Sequence, residues 1–264
     1  MIRVCITGAA GKMGKTNIKV IASDNDARLT GAVEVKGSSF IGLDAGEVAG
    51  VGNLGVKIED GLEKVIDGCD VVIDFSSVAA FDTNLQCVLK YKKAFVCGTT
   101  GLSSEQIEKV KSAGNEVPVI WSPNFSVGIT ILNKITELCA NILKEDFDAE
   151  IMEIHHRMKK DAPSGTALKL LNTLKKVYNS ENVVFGREGI IGERPSGQLG
   201  VSTLRGGDVV GEHTVYFFGQ GERIELTHKA SSRETFARGA LRAAKFILKN
   251  GKGFYTMEQV LGLL

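Results

Sequence analysis

The sequence predicts an α/β chain in two parts: a parallel sheet covered on both faces by helices, then an α+β part on a mixed, mostly antiparallel sheet. Three observations carry this. As far as Trp121, short apolar runs alternate with amphipathic helical runs, the pattern of strand–helix–strand units. From Val183 to Lys229, strand-like runs follow one another without intervening helices. The first apolar run also ends in a glycine-rich turn of the kind that leads a strand into a helix.

Taken in order, Ile2–Thr7 is a short strand, followed by Gly8-Ala9-Ala10-Gly11-Lys12-Met13-Gly14 and a helix carrying Ile18, Ile21 and Ala22. A second strand, Leu29–Val33, closes on Glu34. The glycines have the form Gly-x-x-Gly-x-x-Gly, suited to a tight turn, close approach of a pyrophosphate and close helix–strand packing. Glu34 stands twenty residues past Gly14, where an acid bonds the ribose hydroxyls of adenosine. Strand, glycines, helix, strand and acid in this order predict a Rossmann-type dinucleotide-binding domain. A purely structural glycine turn is the competing reading. Lys12 is read as a contact to phosphate or to a substrate carboxylate, against simple solvent exposure.

The glycine-bearing stretch from Lys36 to Gly61 reads as a long irregular excursion over one edge of the sheet. Leu62–Ile66 then reads as a short helix, and Val71–Phe75 as a buried strand ending in Ser76-Ser77. A helix over Phe81–Tyr91 places Phe81, Leu85, Val88 and Leu89 on one face. The strand Ala94–Cys97 ends in Gly98-Thr99-Thr100-Gly101, Ser103 or Ser104 opens a helix, and Val117–Trp121 precedes Ser122-Pro123-Asn124-Phe125. Ligands of such sheets sit beyond the carboxyl ends of the strands. Phe75, Gly98, Thr99, Thr100, Ser122, Pro123, Asn124 and Phe125, with the glycine loop, are therefore fit to line one dinucleotide. Cys97 reads as a packing group, because nothing near it in sequence supplies a base.

The texture then changes. Val127–Leu143 is an amphipathic helix with Ile131, Leu132, Ile135, Leu138, Cys139 and Ile142 on one stripe. Phe147–Ile154 alternates as a strand, so His155 and His156 fall at or just past its end. Pro163 biases its predecessor away from helix, and Ser164-Gly165-Thr166 is a helix start, followed by Ala167, Leu168, Leu171, Leu174 and Tyr178 at helical spacing. The unit is strand, polar loop, helix N-terminus. Unpartnered N–H groups and the dipole at a helix start favour an anion. Gly165 lets a carboxylate approach the backbone, and the Thr166 hydroxyl adds a hydrogen bond. Histidine is a residue type suited to proton transfer, so His155 or His156 is a candidate acid or base, and Lys159 offers a fixed charge or a proton. Adjacent strand residues point to opposite faces, so only one of the histidines easily faces a given site. The competing reading is a solvated basic loop with a capped helix.

Further on, Val183–Phe185, Leu199–Leu204, Val209–Phe218 and Arg223–Lys229 are strand-like, the last two joined by a hairpin turn at Gly219-Gln220-Gly221-Glu222. Arg205-Gly206-Gly207-Asp208 and Glu212-His213 read mainly as turns with exposed charges, and His228 and Lys229 as packing or surface groups. Ser231 and Glu234 have capping-box spacing for a final long helix with Phe236, Ala240, Ala243, Ala244 and Ile247. Thr256–Leu264 reads as a short apolar helix. The C-terminal piece is expected to return to the first domain, giving a dinucleotide-binding domain of residues 1–125 plus 232–264 and a second domain of residues 126–231.

Composition excludes several classes. The chain has 264 residues, 43% hydrophobic and 24% charged, which suits an ordinary globular protein. A formal net charge of +1 argues against a nucleic-acid partner. No apolar run is long enough to span a bilayer, and with no charged-then-apolar leader the chain reads as cytoplasmic. Its five cysteines are scattered and never spaced Cys-x-x-Cys, which suggests reduced thiols. Four dispersed histidines give no zinc constellation, so no metal is expected.

His155 to Ala167 meets the pattern His-His-x-x-x-x-Asp-x-Pro-Ser-Gly-Thr-Ala without a gap and closely resembles the signature of the dihydrodipicolinate reductases. Gly8 to Gly14, Glu34, Asp44-Ala45-Gly46, Asp74-Phe75-Ser76, Gly98-Thr99-Thr100-Gly101, Ser122 to Gly128, Arg205-Gly206-Gly207 and Gly211-Glu212-His213-Thr214 look like further landmarks of that family, in order. The resemblance implies a Rossmann domain and a substrate domain whose sheets build a homotetramer. It implies NADH or NADPH as cofactor, and as substrate a cyclic dicarboxylic imine of lysine and diaminopimelate synthesis. Hydride would pass from the nicotinamide C4 to the unsaturated C4 of the ring, with charge developing toward the ring nitrogen and C3. His155 is implied as acid/base, and Lys159 as proton donor or charge stabiliser. His156, Lys159, Gly165 and Thr166 are implied as holders of the substrate carboxylates.

One position departs from the family. Many relatives follow the strand-end acid with arginine, which would bind a 2′-phosphate; here Val35 stands there and Lys36 is the nearest cation. Glu34 repels a 2′-phosphate while Lys36 can offset it, so dual use with NADH at least as good is expected. Two other readings compete: an amino-acid or imine dehydrogenase of the same architecture, and a nucleotide sensor without chemistry. The intact histidine and Pro-Ser-Gly-Thr segments argue against the first, and the presence of His155 and Lys159 against the second.

Overall fold

A computed structural model describes residues 1–263, so the end of the expected last helix, Leu264, lies outside the described residues. The chain forms two compact units, Met1–Val127 with the segment from Arg233 onward, and Gly128–Ser232.

The first unit holds a seven-stranded sheet in which every pairing is parallel. Its strands are β1 (Ile2–Thr7), β2 (Ala27–Val33), β3 (Ile58–Glu59), β4 (Val71–Asp74), β5 (Ala94–Cys97), β6 (Pro118–Trp121) and β12 (Gly253–Tyr255), in the order β12-β6-β5-β4-β1-β2-β3. Strand order reverses between β1 and β4, the switch point where such sheets open a crevice. The continuous apolar strands are explained by their two covered faces. Val4, Ile6, Ile73, Val96 and Ile120 enter one cluster with α1 (Lys12–Ala22) and α7 (Glu234–Asn250). Cys5, Val72, Phe95, Cys97 and Val119 enter the other with α3 (Val78–Lys90) and α4 (Ser104–Ala113).

Several local expectations change. The excursion after Lys36 is not wholly irregular: it contains α2 (Ala45–Ala49) and the edge strand β3. Asp44 organises it by capping α2 through the Gly46 and Glu47 amides and by accepting from the Leu54 and Val56 amides ten and twelve residues on, pairings with no periodic signature. Leu62–Ile66 is not one helix but part of two 3₁₀ turns, Leu62–Lys64 and Ile66–Gly68. The capping box at Ser231 and Glu234 does not form: α7 starts at Glu234, and its N-cap Arg233 already has helical angles and no side-chain cap. The three-residue strand β12 is too short to show a period. It pairs with β6 and is followed by α8 (Met257–Val260). Ser103 does cap α4 in a full capping box with Gln106.

The second unit holds a five-stranded sheet in the order β11-β10-β7-β9-β8. The strands are β7 (Asp148–His155), β8 (Val183–Phe185), β9 (Leu199–Arg205), β10 (Gly211–Gly219) and β11 (Glu222–Ala230). The sheet is mixed, its longer pairings antiparallel and its shorter ones parallel. β10 pairs antiparallel with β11 and β7, whereas β7–β9 and β8–β9 are parallel. The reason is the crossover through α6 (Gly165–Tyr178), which returns the chain in the direction of β7. Gly186–Gly197 adds no strand; Arg187 and Arg194 tie it down through Glu150.

Helix α5 (Val127–Leu143) and α6 pack on one face of this sheet around Ile151, Val201, Val215 and Phe217. The expected core stripe of α5 is largely exposed: Ile131 is 40% exposed, Ile135 40%, Leu138 60% and Ile142 71%. The buried side is instead Ile129, Leu132, Thr136 and Ala140. The apolar arc of this helix is wider than one packed face, so hydropathy alone does not say which edge turns inward. On the sheet's other face, Leu204 and Phe218 are exposed, with Tyr216 stacked on Phe218 at 5.6 Å between ring centroids.

Candidate functional site

Chemistry-bearing residues gather at the strand ends of each unit. In the first, Gly8 has a φ of +69° and Gly14 packs so tightly that a Cβ there would stand 2.0 Å from the Gly8 carbonyl oxygen. No L side chain fits either place without displacing backbone. Gly11 is the N-cap of α1 and supplies no side-chain cap, so that helix start keeps its donors unblocked by its own cap. Lys12 is the first helical residue and is exposed, Met13 packs against the core, and Ala9 is buried. Glu34 lies just beyond β2, and its carboxylate accepts from the Ala10 and Val35 amides at 2.9 and 3.0 Å. The acid is thus held beside the glycine loop, and Val35 and Lys36 are exposed.

The other strand ends of this unit are tied together by Asp74, which has no exposed surface. Its carboxylate accepts from the Thr7 hydroxyl, from Ser76 Oγ at 2.6 Å, from Thr99 Oγ1 at 2.6 Å and from Asn84 Nδ2 at 3.1 Å. The Thr99 carbonyl in turn accepts from Trp121 Nε1 at 3.2 Å. Phe75 lies against Gly98, where a Cβ would be 2.3 Å from its ring, and its centroid is 5.9 Å from that of Phe125. Ser122 Oγ donates to the Asn124 carbonyl at 2.7 Å, folding the turn that carries Pro123. Thr100 and Pro123 are exposed, whereas Phe125 is a core residue with 1% exposure. Burial pushes the Cys97 thiol well up, with Asp74 adding to it, which makes it a packing group. Asp74 was not among the expected site residues; a lone acid in the apolar run Val71-Val72-Ile73-Asp74-Phe75 was the available signal.

In the second unit the organising group is Glu153, on β7 and fully buried. Its Oε2 contacts His155 Nδ1 at 2.5 Å and accepts from Arg205 Nη1 at 2.8 Å. Its Oε1 accepts from Arg205 Nη2 at 2.8 Å, the Ser164 amide at 3.0 Å and Thr203 Oγ1 at 3.3 Å. One carboxylate therefore holds both the imidazole at the end of β7 and the residue that caps α6. Ser164 Oγ accepts from the Ala167 amide at 3.2 Å and meets His213 Nε2 at 3.0 Å. The His213 ring stands edge-on to that of His155 at 5.1 Å. His155 Nε2 is not covered by a neighbouring side chain at position 211, because that residue is glycine; a Cβ there would be 3.0 Å away.

Lys159 forms an ion pair with Asp161 at 2.9 Å. The His156 amide bonds the Val209 carbonyl at 2.8 Å, and its buried Nδ1 has no partner among the described residues. Gly165 is exposed at the first turn of α6, and a Cβ there would meet nothing within 4 Å; Thr166 follows it. Arg205 also reaches the Asp161 carbonyl at 2.8 Å, so it pins the loop as well as Glu153. The reading of Arg205 and His213 as parts of exposed turns is therefore corrected: Arg205 is a bidentate partner inside the site and His213 is buried. Nothing periodic marks them, since their partners lie far away in sequence.

The electrostatics follow from burial against pairing. Burial pushes Glu153 upward, but Arg205, His155 and the Ser164 amide outweigh it and hold the group at about 2. Burial lowers His155 despite Glu153, and lowers His213 to about 3 with help from the charge of His155. The sign is the same for all three. Glu153 contributes stability that is complete above its ordinary 4.5 and drains away as pH falls toward about 2. The histidines, buried neutral, weaken the folded state progressively as pH drops below 6.5.

Residues 2–125 match the family model for dihydrodipicolinate reductase, N-terminus, and residues 128–261 that for dihydrodipicolinate reductase, C-terminus. A 4-hydroxy-tetrahydrodipicolinate reductase from Anaeromyxobacter sp. (strain Fw109-5) is 48% identical over 266 residues, covering 100% of this chain and 98% of that protein. A dipicolinate-bound dihydrodipicolinate reductase from Paenisporosarcina sp. TG-14 superposes with a TM-score of 0.77 at 25% identity, covering 97% of each chain. An amine dehydrogenase from Mycobacterium smegmatis shares the fold alone, with a TM-score of 0.63 at 12% identity over 97% of this chain and 95% of that one. With both halves matched in order and a relative of this identity along the whole length, the chain belongs to the dihydrodipicolinate reductase family.

Proposed function

We propose that the chain catalyses the NAD(P)H-dependent reduction of 4-hydroxy-tetrahydrodipicolinate to tetrahydrodipicolinate in lysine and diaminopimelate biosynthesis, in the cytoplasm. The observation that carries this is the bridging of His155 and the start of α6 by one buried carboxylate, Glu153. It sets a proton-carrying ring beside a helix terminus suited to a carboxylate. The first unit is the dinucleotide-binding domain and the second the substrate-binding domain.

The glycine loop, the α1 start left open by Gly11 and the acid at Glu34 fit a dinucleotide. Gly8, Ala9, Ala10, Gly11, Lys12 and Met13 would hold its phosphates, and Glu34 its ribose. Phe75, Gly98, Thr99, Thr100, Ser122, Pro123 and Asn124 would line the remainder; Phe125, a core residue, packs behind Phe75 instead of touching the ligand. When bound, the reduced nicotinamide supplies a hydride. The chain's own part is to bind the dianionic ring, hold its orientation and deliver a proton. Gly165 and Thr166 receive one carboxylate at the helix start, and His156 and Lys159 attract the other. Asp161, the present partner of Lys159, has a side chain 62% exposed, so a substrate carboxylate can take its place.

His155 delivers the proton from Nε2, its Nδ1 being held by Glu153. The unliganded ring favours the neutral form because of burial. Two substrate carboxylates beside it raise its proton affinity, since nearby opposite charge favours the charged form. The ring is thus armed by the substrate. For assembly, a homotetramer is proposed, built on the sheet face that exposes Leu204 and Phe218 beside Tyr216.

The direct test is oxidation of NADH and NADPH with the preceding pathway enzyme generating the substrate in place. Substrate-dependent oxidation is expected, with kcat/KM for NADH at least equal to that for NADPH, because Glu34 repels a 2′-phosphate and Val35 offers no charge. Dinucleotide binding without oxidation would refute the reaction, and a strong NADPH preference would refute the role given to Glu34. His155→Gln should lower kcat by about 10²-fold or more with NADH affinity kept; near-normal turnover would remove His155 from its role. Gly165→Ala should leave the melting temperature unchanged or higher, since the new methyl meets open space, while KM rises roughly tenfold, about 1.4 kcal/mol. An unchanged KM would place the carboxylate elsewhere. Native mass spectrometry should show four chains, and Phe218→Glu should reduce that number; a monomeric wild type would refute the assembly.

A further inference from the structure

We infer that Glu153 is a positioning residue that controls the protonation of His155 and couples it to carboxylate binding at α6. The inference rests on the reaction proposed above only in naming the ligand. The geometry is independent of it.

Five donors converge on this one carboxylate, from the Arg205 guanidinium twice, His155, Ser164 and Thr203. A carboxylate offers about four lone-pair sites and no donor, so all its capacity is spent inside the protein. A purely structural partner for Arg205 would need neither the imidazole nor the helix cap. The arrangement has three consequences. Nδ1 of His155 carries the hydrogen toward Glu153, which leaves Nε2 as the nitrogen that gains and loses a proton. Arg205 fixes both carboxylate oxygens, one of them the oxygen that meets the ring, so His155 cannot turn without breaking a charge-assisted bond. The same carboxylate anchors the Ser164 amide, so a charge arriving at the first turn of α6 and a proton arriving at His155 act on one group.

The charged and polar groups around His155 and Glu153 come from every neighbouring element. On its own strand stands Glu153, and on the following loop His156 and Lys159, the latter paired with Asp161. From β9 come Arg205 and Thr203, from β10 His213, and from α6 Ser164. Glu153 is the acid in hydrogen-bond contact with the ring, and it favours the imidazolium; Lys159 and Arg205 oppose it, as does burial. Removing the carboxylate therefore leaves burial, Lys159 and Arg205, each of which disfavours a proton on the ring.

The test uses the full-length protein with pyridine-2,6-dicarboxylate (dipicolinate) as probe. With four histidines in the chain, nitrogen NMR of the labelled rings identifies the tautomer of each. His155 of the wild type is expected with hydrogen on Nδ1 and titration at Nε2, and calorimetry in buffers of different ionisation enthalpy should show proton uptake as dipicolinate binds. In Glu153→Gln the uptake should be lost and the pH at which kcat/KM falls should move down by about one unit or more, with NADH affinity unchanged. That variant strands Arg205 and can fail to fold. The double variant Glu153→Gln/Arg205→Gln removes both charges and should show the same loss of uptake. A folded variant with wild-type uptake and pH profile would reduce Glu153 to a structural ion. Hydrogen on Nε2 of wild-type His155 would overturn the inference without any variant. Absence of NADH oxidation by the wild type would instead defeat the proposed reaction, and leave the tautomer and the uptake to judge Glu153.

Discussion

Glu153 has no exposed surface, yet it carries a charge, and an isolated buried carboxylate is too costly to persist. The structure meets that cost with a bidentate arginine from β9, an imidazole from its own strand, a backbone amide from α6 and a hydroxyl from β9. Those partners cannot be supplied unless β7, β9 and the start of α6 take up their places together. Satisfying one charge thereby fixes both the His155 ring and the start of α6. Such networks specify geometry more than they add stability, because much of the attraction is spent on desolvation.

The first unit uses the same device with a different purpose. Asp74 gathers hydroxyls and an amide from β1, α3 and the loops after β4 and β5. These lie around the switch point, where the sheet offers its crevice. The glycines complete the surface by exclusion: at Gly8 and Gly14 a side chain would collide with backbone. Helix starts serve in both units, α1 behind a glycine cap and α6 behind a serine cap. The helix dipole is common to both, and different side chains surround each start.

Much of this was legible locally. The glycine loop, the acid at Glu34, the serine opening of α4 and the start of α6 at Ser164 are each encoded within a few residues. Less was legible where an element is short or its partner distant. β3 and β12 have two and three residues, too few for a period. The stripe of α5 was visible as apolar, but the edge it buries depends on where β7 and α6 lie. The balance of parallel and antiparallel pairs in the second sheet depends on the route of the crossover, which strand patterns do not record.

The sequence by itself determined the order of elements and the residues able to carry charge at the strand ends, because propensity, capping and hydrophobic period act over a few residues; the family showed in the contiguous motif from His155 to Ala167. Only the tertiary structure decided which of those residues work together. Arg205 stands 52 residues from Glu153 and His213 stands 49 from Ser164. They meet because the strand register of β7 with β9 and β10 brings His155 level with Arg205, and Glu153 level with His213. A slip of one residue would send each of them to the other face of the sheet.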